Sequence, residues 1–187
     1  MTGGNSIGGL VESISNGCSV TNCYAAGAVS GISGAIGGLV GAVINNNSIN
    51  DCAGLNPIVT STSGGYTSFG RVTGDIHAMI TFTNNAGFVG IILPAGATGH
   101  NGADITTAAI KADGSLGGRF TTANGWTVEN GKLPGFGAAV ALPEHLKQEA
   151  PLNPPKGEKT PSPQGEGWGG ASIGAQGCGA FFVVKFQ

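Results

Sequence analysis

Charge is scarce in this chain. Lysine, arginine, aspartate and glutamate make up 10% of its 187 residues, against roughly 25% in ordinary soluble domains. The formal net charge is −2, so neither nucleic acid nor an anionic membrane surface is an expected partner. Long apolar runs are missing too. No stretch approaches the ~20 residues that cross a bilayer as a helix. The opening residues, Met-Thr-Gly-Gly-Asn-Ser-Ile-Gly-Gly, contain neither the basic nor the apolar region of a secretory signal. An export signal is therefore expected outside this sequence, which points to a fragment.

The arrangements that carry chemistry are sparse as well. A zinc peptidase needs His-Glu-x-x-His on a helix, so that two imidazoles share one face. The three histidines, His77, His100 and His145, do not have that spacing. Glu144-His145 beside Glu149 comes nearest, and it reads as an exposed helical turn. None of the four cysteines forms a Cys-x-x-Cys pair, which argues against zinc or redox chemistry. Gly34–Gly41 has the glycines of a phosphate-cradling loop but not its Gly-Lys-Ser/Thr ending. Calcium loops gather several carboxylates. Residues 1–70 hold only Glu12 and Asp51, and Asp104 and Asp113 stand alone as turn residues. The expectation is a chain that is not an enzyme and has no cofactor, metal or catalytic residue. Trp126 and Tyr66 read either as packing residues or as platforms for a sugar ring, and a sugar would then quench Trp126 or Trp168.

Glycine is what the chain has in abundance, at 36 residues. The glycines keep no three-residue period, so the chain is not collagen-like. With 40% hydrophobic residues it is not a typical disordered chain either. Gly, Ser, Thr, Asn and Val suit turns and pleated surfaces more than helices. The fold class read from this is all-β.

The strongest signal is an internal repeat. Ile-Gly-Gly-Leu-Val stands at Ile7–Val11 and again at Ile36–Val40, an offset of 29. At that offset Asn16 maps to Asn45, Ser19 to Ser48, Cys23 to Cys52, Val20 to Ile49 and Ile14 to Val43. A weaker third copy, Phe69–Gly74, follows at an offset of 33. Periods of this length mark stacked repeats. Glycines costing about 1 kcal/mol each in a helix favour β units. The expected architecture is a short β-solenoid, or β-helix-like stack. Its repeat core is Ile7, Leu10, Val20 and Cys23 stacked on Ile36, Leu39, Ile49 and Cys52. Asn45-Asn46-Asn47 is expected at a turn. Cys23 and Cys52 read as stacked free thiols, with a disulfide as the alternative.

Residues 1–60 then hold two repeats. Residues 61–142 hold the degenerate third copy and a β-rich closing region, with strands expected at Met79–Asn84, Gly87–Leu93 and Gly125–Pro134. An Asn130-Gly131 turn interrupts the last of these. Ile105–Lys111 suits either a helix or a strand. Residues 143–187 read as a Pro/Gly-rich, disordered tail or linker, or as a stretch read in a false frame. Six of the nine prolines lie between Pro143 and Pro163. The final apolar run, Phe181–Phe186, is an aggregation hazard unless it adds a strand to the body.

Ile7–Val11, Asn22-Cys23-Tyr24-Ala25, Gly27, Val29-Ser30-Gly31 and Ile36–Gly41 together resemble the GLUG-motif family. These are short repeats of bacterial surface and secreted proteins, including regions of IgA-specific metallopeptidases. Weaker likeness extends over Asp51–Pro57, Gly70–Gly74 and Trp126–Pro134, covering roughly residues 3–136. The resemblance implies an extracellular or cell-surface, noncatalytic, adhesin-like β-helical spacer and supplies no ligand. An accessory region of a larger secreted peptidase, or a carbohydrate-binding module, are the alternatives. Two clear repeats and one weak one sit near the minimum for a stable stack. End-to-end self-association through exposed edges is therefore expected.

Overall fold

The computed structural model describes residues 2–3, 6–63, 67–77, 79–148 and 182–183. It is mostly β, with parallel strands stacked on one another in three passes of the chain. The first pass comprises β1 (Thr2–Gly3), β2 (Ser6–Gly8), β3 (Val11–Ser15), β4 (Ser19–Thr21) and β5 (Tyr24–Ala25). The second comprises β6 (Val29–Gly31), β7 (Gly34–Gly37), β8 (Val40–Ile44), β9 (Ser48–Asn50) and β10 (Ala53–Gly54). The third comprises β11 (Val59–Ser61), β12 (Thr67–Gly70), β13 (Thr73–His77), β14 (Thr81–Thr83) and β15 (Ala86–Phe88). Each strand of a pass pairs in parallel with its counterpart in the next, so sheets run β2-β7-β12, β3-β8-β13, β4-β9-β14 and β1-β6-β11.

The register carries the sequence repeat. Ile7 lies opposite Ile36, Val11 opposite Val40 and Val20 opposite Ile49, the same pairs that the repeated pentapeptide aligns. The third pass is as regular as the second, with Phe69 opposite Ile36 and Phe82 opposite Ile49, at the longer offset of the weaker copy. The extra length enters on both sides of β11, one residue before it and three after it. Val59 still pairs with Val29 close to the shorter offset, whereas Thr67 pairs with Gly34 at the longer one.

Two local devices turn the chain at its corners. Asn22, Asp51 and Asn84 occupy equivalent corners with φ of 50°, 54° and 50°, and Asn16 and Asn45 do the same at 60° and 53°. Short polar side chains that bond locally tolerate this left-handed region best. Asn46 follows at φ 48°, but Asn47 does not share the expected turn role. It points inward and is buried. The second device is the glycine pair. A β-carbon on Gly38 would lie 2.1 Å from the Arg71 carbonyl oxygen and 2.4 Å from Asn56 Oδ1. Only a residue without a side chain lets the backbones meet there.

Beyond β15 the chain folds over the end of the stack. The expected strand Gly87–Leu93 stops at Phe88, and β16 (Ala103–Ile105) adds in parallel to β15. The ambiguous Ile105–Lys111 resolves into the end of β16 and then α1 (Thr107–Asp113). Thr106 caps the helix by accepting the Ala109 N–H, and Gly114 ends it at φ 71°. Residues from Gly125 form less strand than expected. Thr127 makes one antiparallel bridge to Gly135, and β17 (Lys132–Leu133) pairs with β18 (Val140–Ala141) after Gly131 at φ 74°. Pro143 opens a single 3₁₀ turn over Glu144–Leu146. β19 (Phe182–Val183) pairs antiparallel with β5. The remainder of the tail, with Trp168 and Cys178, lies outside the described residues, as does Tyr66.

Candidate functional site

The eight repeat-core positions lie within the stack. Ile7 and Ile36 face each other in one sheet, and Val20 and Ile49 in another. The Leu39 carbonyl accepts the Leu10 N–H at 2.8 Å, and the Leu39 N–H donates to Val72 at 2.9 Å. Ile36, Leu39, Ile49 and Cys52 in the second pass are fully enclosed, as Ile7, Val20 and Cys23 nearly are, whereas Leu10 is half-buried. These residues divide between two apolar clusters. Val20, Cys23, Leu39, Ile49 and Cys52 share one with Ile14, Val43 and Val72. Ile7 and Ile36 belong to the other, which continues outward to the closing segment.

Cys23 and Cys52 stack as free thiols. The Cys23 carbonyl accepts the Ala53 N–H at 2.9 Å, which sets the two side by side. Cys52 is pushed well above the ordinary thiol range by its hydrogen bond with Cys23 and by burial. A thiol held neutral in a closed core is a poor nucleophile. Cys18 is exposed. A small alkylating reagent is therefore expected to modify Cys18 promptly in the native chain and to reach Cys23 and Cys52 only on unfolding. Peptide mapping after a short pulse measures this, and native labelling of Cys52 at the rate of Cys18 would contradict it.

The third pass puts Asn85 where Cys52 stands in the second. Its Oδ1 accepts the Cys52 N–H at 3.0 Å and its Nδ2 donates to the Ile49 carbonyl at 2.7 Å. Asn47 acts alike at another corner. It accepts the Cys18 N–H at 2.8 Å and donates to the carbonyls of Ile14 and Ile44 at 3.1 and 2.6 Å. Asn56 donates to Gly27 at 2.6 Å. These buried amides tie one pass to the next by satisfying backbone groups that the corners leave unpaired. They are the polar residues that the sequence reading missed.

The outer face of β5, β10 and β15 is small apart from Tyr24, with Ala53 and Ala86 beside it, and the closing segment packs over it. Tyr24 donates its hydroxyl hydrogen bond to the Pro134 carbonyl at 2.7 Å, and burial raises its phenol above the ordinary tyrosine value. Phe120 meets Tyr24 edge-on at 5.6 Å and Trp126 edge-on at 4.9 Å. Phe136 stacks on Trp126 at 4.2 Å. Trp126 is only 2% exposed. It is a packing residue, and the sugar-platform reading of Trp126 is set aside because a sugar ring has no access to its face. His145 also departs from expectation. It is half-buried and donates from Nε2 to the Leu55 carbonyl at 2.7 Å.

The cations serve the backbone too. Arg119 is buried and donates to the carbonyls of Asn84 and Leu116 at 2.6 and 2.7 Å. Its own carbonyl accepts from Asn22 Nδ2 at 2.8 Å. Burial lowers its guanidinium from the ordinary value, and the nearby Asp51 opposes that shift. Arg71 reaches the Gly87 carbonyl at 3.0 Å and Asp104 at 2.5 Å, so Asp104 is not the isolated turn residue expected. Asp113 accepts from both the N–H and the hydroxyl of Ser115 just past α1.

The remaining surface features are modest. A shallow depression of about 390 Å³ is lined by Gly17, Cys18, Asn46, Asn47, Met79 and Thr81, among others. The outward residues of β4, β9 and β14 are hydroxyls and an amide that bond each other, as in Ser48 to Ser19 at 2.8 Å and Thr83 to Asn50 at 2.9 Å. Among the described residues no three His, Cys, Asp or Glu side chains converge as a metal site would need. No helix among them is long and apolar enough to cross a membrane. Searches of protein-family models, of curated proteins and of solved structures match nothing to this chain.

Proposed function

We propose that this chain is a noncatalytic structural module, a short β-solenoid of the GLUG type that acts as a spacer or adhesive part of a bacterial surface or secreted protein. One observation carries the reading. Side chains that could do chemistry are spent on structure: the Asn47 and Asn85 amides tie one pass to the next, and the Arg119 guanidinium and the His145 ring tie the closing segment to the stack, all by bonding backbone groups. A stack whose repeat unit recurs in register lengthens by adding units, which suits a part that projects something else. The Ile-Gly-Gly-Leu-Val-Gly cores, the low charge and the Asn-rich corners agree with the bacterial surface repeats that they resemble.

The test is to insert a second copy of residues 30–59 after Val59. The longer chain is expected to stay folded and to grow by about 5 Å along the stacking axis in solution scattering, the spacing of one strand layer. The parent chain is expected to bind no member of a glycan panel below about 1 mM, a contact energy of only about 4 kcal/mol. It is also expected to hydrolyse no peptide. Unfolding of the duplicated chain, or micromolar glycan binding, would remove the proposal.

A further inference from the structure

The outward side of β4, β9 and β14 is an array in register. Thr81 lies opposite Ser48 and Ser48 opposite Ser19, while Thr83 lies opposite Asn50 and Asn50 opposite Thr21. Between the two members of each row one residue turns inward. Val20 and Ile49 are buried, and Phe82 packs against the same cluster. Ser19, Thr21, Thr81 and Thr83 are exposed, and Ser48 and Asn50 are half-buried. The result is three rows of two oxygen-bearing side chains that reach solvent.

The spacing of the array follows from the backbone. Neighbouring parallel strands lie about 4.8 Å apart, and alternate residues of one strand about 6.6 Å apart. Liquid water keeps no fixed spacing, but ice does. Oxygens on a prism face of hexagonal ice recur at two perpendicular distances. One is a little shorter than the strand separation, and the other a little longer than the alternate-residue step. Over so few rows the mismatch has little length in which to accumulate.

Two further features suit such a surface. The side chains are held by one another: Ser48 donates to Ser19 at 2.8 Å, Thr83 donates to Asn50 at 2.9 Å, and the Ser19 and Thr21 hydroxyls bond at 3.1 Å. Each hydroxyl has one donor and two acceptor positions, so these bonds fix the array and still leave positions for water. A preset array also loses little freedom on binding. The six side chains are, moreover, all uncharged. A charged group holds a water shell of its own, which a lattice of neutral water does not accommodate. Asp51 stands at the corner beyond Asn50, where it accepts from Asn84 Nδ2 at 2.6 Å. The array and ice thus match in charge, in donors and acceptors, and in spacing.

We propose that the outward face of β4, β9 and β14 binds ice, with Ser19, Thr21, Ser48, Asn50, Thr81 and Thr83 meeting the oxygens of the crystal surface. The inference stands on the register of these three strands and is independent of the spacer role. A protein seated on a crystal stops growth where it sits and makes the ice front bulge between seated molecules. Small crystals then no longer feed large ones.

Ice recrystallisation in a thin frozen film of sucrose solution tests this with the full chain. At submillimolar concentration the chain is expected to hold the mean grain area at least tenfold below that in a film with an equal mass of serum albumin. Ser48→Tyr sets a bulky ring in the middle row and is expected to abolish the effect. Thr21→Tyr, at an exposed place in the first row, is expected to weaken it severalfold, and it decides the matter if Ser48→Tyr does not fold. Ser13→Tyr, at an exposed position of β3, is expected to leave the effect unchanged. Grain growth equal to that with albumin overturns the proposal. So does full activity in the folded array variants, or an equal loss in Ser13→Tyr. Adsorption to crystalline cellulose or chitin with no effect on ice overturns it too, because the array would then fit a neutral polysaccharide instead.

Discussion

Gly74→Ala is expected to lower the unfolding free energy by about 3 kcal/mol, the upper part of the range for overpacking a closed interior. The added β-carbon would stand 2.3 Å from the Ile36 nitrogen and 2.7 Å from the Ala35 carbonyl carbon. Both are backbone atoms fixed in a ladder, so neither can swing aside as a side chain tip would. Gly41 stands in the same relation to the pass before it, 2.7 Å from the Ile7 nitrogen. Gly17 makes the comparison decisive. Its φ of 81° strains an alanine, yet nothing lies within 4 Å of the new carbon, so Gly17→Ala should cost only about 1 kcal/mol. Urea unfolding of both variants beside the parent gives the ranking. If Gly74→Ala proves no worse than Gly17→Ala, the passes are not in backbone contact at that corner.

Trp126→Ala is expected to cost about 3–5 kcal/mol, the range for removing a buried aromatic side chain. Its indole meets Tyr24 at 6.1 Å, Phe120 at 4.9 Å and Phe136 at 4.2 Å. It is thus the common neighbour through which the closing segment grips the outer face of β5. Its Nε1 is buried without a hydrogen-bond partner among the described residues, so its contribution comes from packing rather than polar bonding. Limited proteolysis should cut first within residues 107–148, and near-ultraviolet dichroism should fade before the far-ultraviolet strand signal. A variant that resists protease as the parent does would show that the segment is held elsewhere, by the Arg119 and His145 contacts.

The stacking register is legible because Ile-Gly-Gly-Leu-Val occurs twice without a gap. Sliding one copy along the other by a residue or two would set glycine against leucine or isoleucine. Phe69-Gly-Arg-Val-Thr-Gly74 is harder to read, since Arg71 replaces the second glycine. The structure shows that arginine is allowed there because no fourth full pass has to lie against it, and its side chain turns toward Asp104 instead. Asn47 and Asn85 are not legible as buried residues. In a chain rich in Asn at corners, an inward amide has the same letter and the same neighbours as an outward one. The closing segment carries no period because it covers a surface rather than repeating a unit. Tyr24 shows the same limit. It is enclosed from outside and Ala25 from inside, so the alternation that marks a half-buried strand is lost.

The longer third repeat has a practical meaning for engineering. All of its added length falls between Gly54 and Thr67, most of it after Ser61, while Phe69, Thr73, Thr81 and Ala86 return to their places above the second pass. The molecule has therefore absorbed added residues on both sides of β11 without losing the alignment of any later strand. The stretch between Ser61 and Thr67, where most of the added residues fall, is expected to serve as a splice site for foreign peptide. Doubling a loop's length adds only about 0.6 kcal/mol of closure entropy, so guest sequences of quite different lengths should be carried there on an unchanged scaffold.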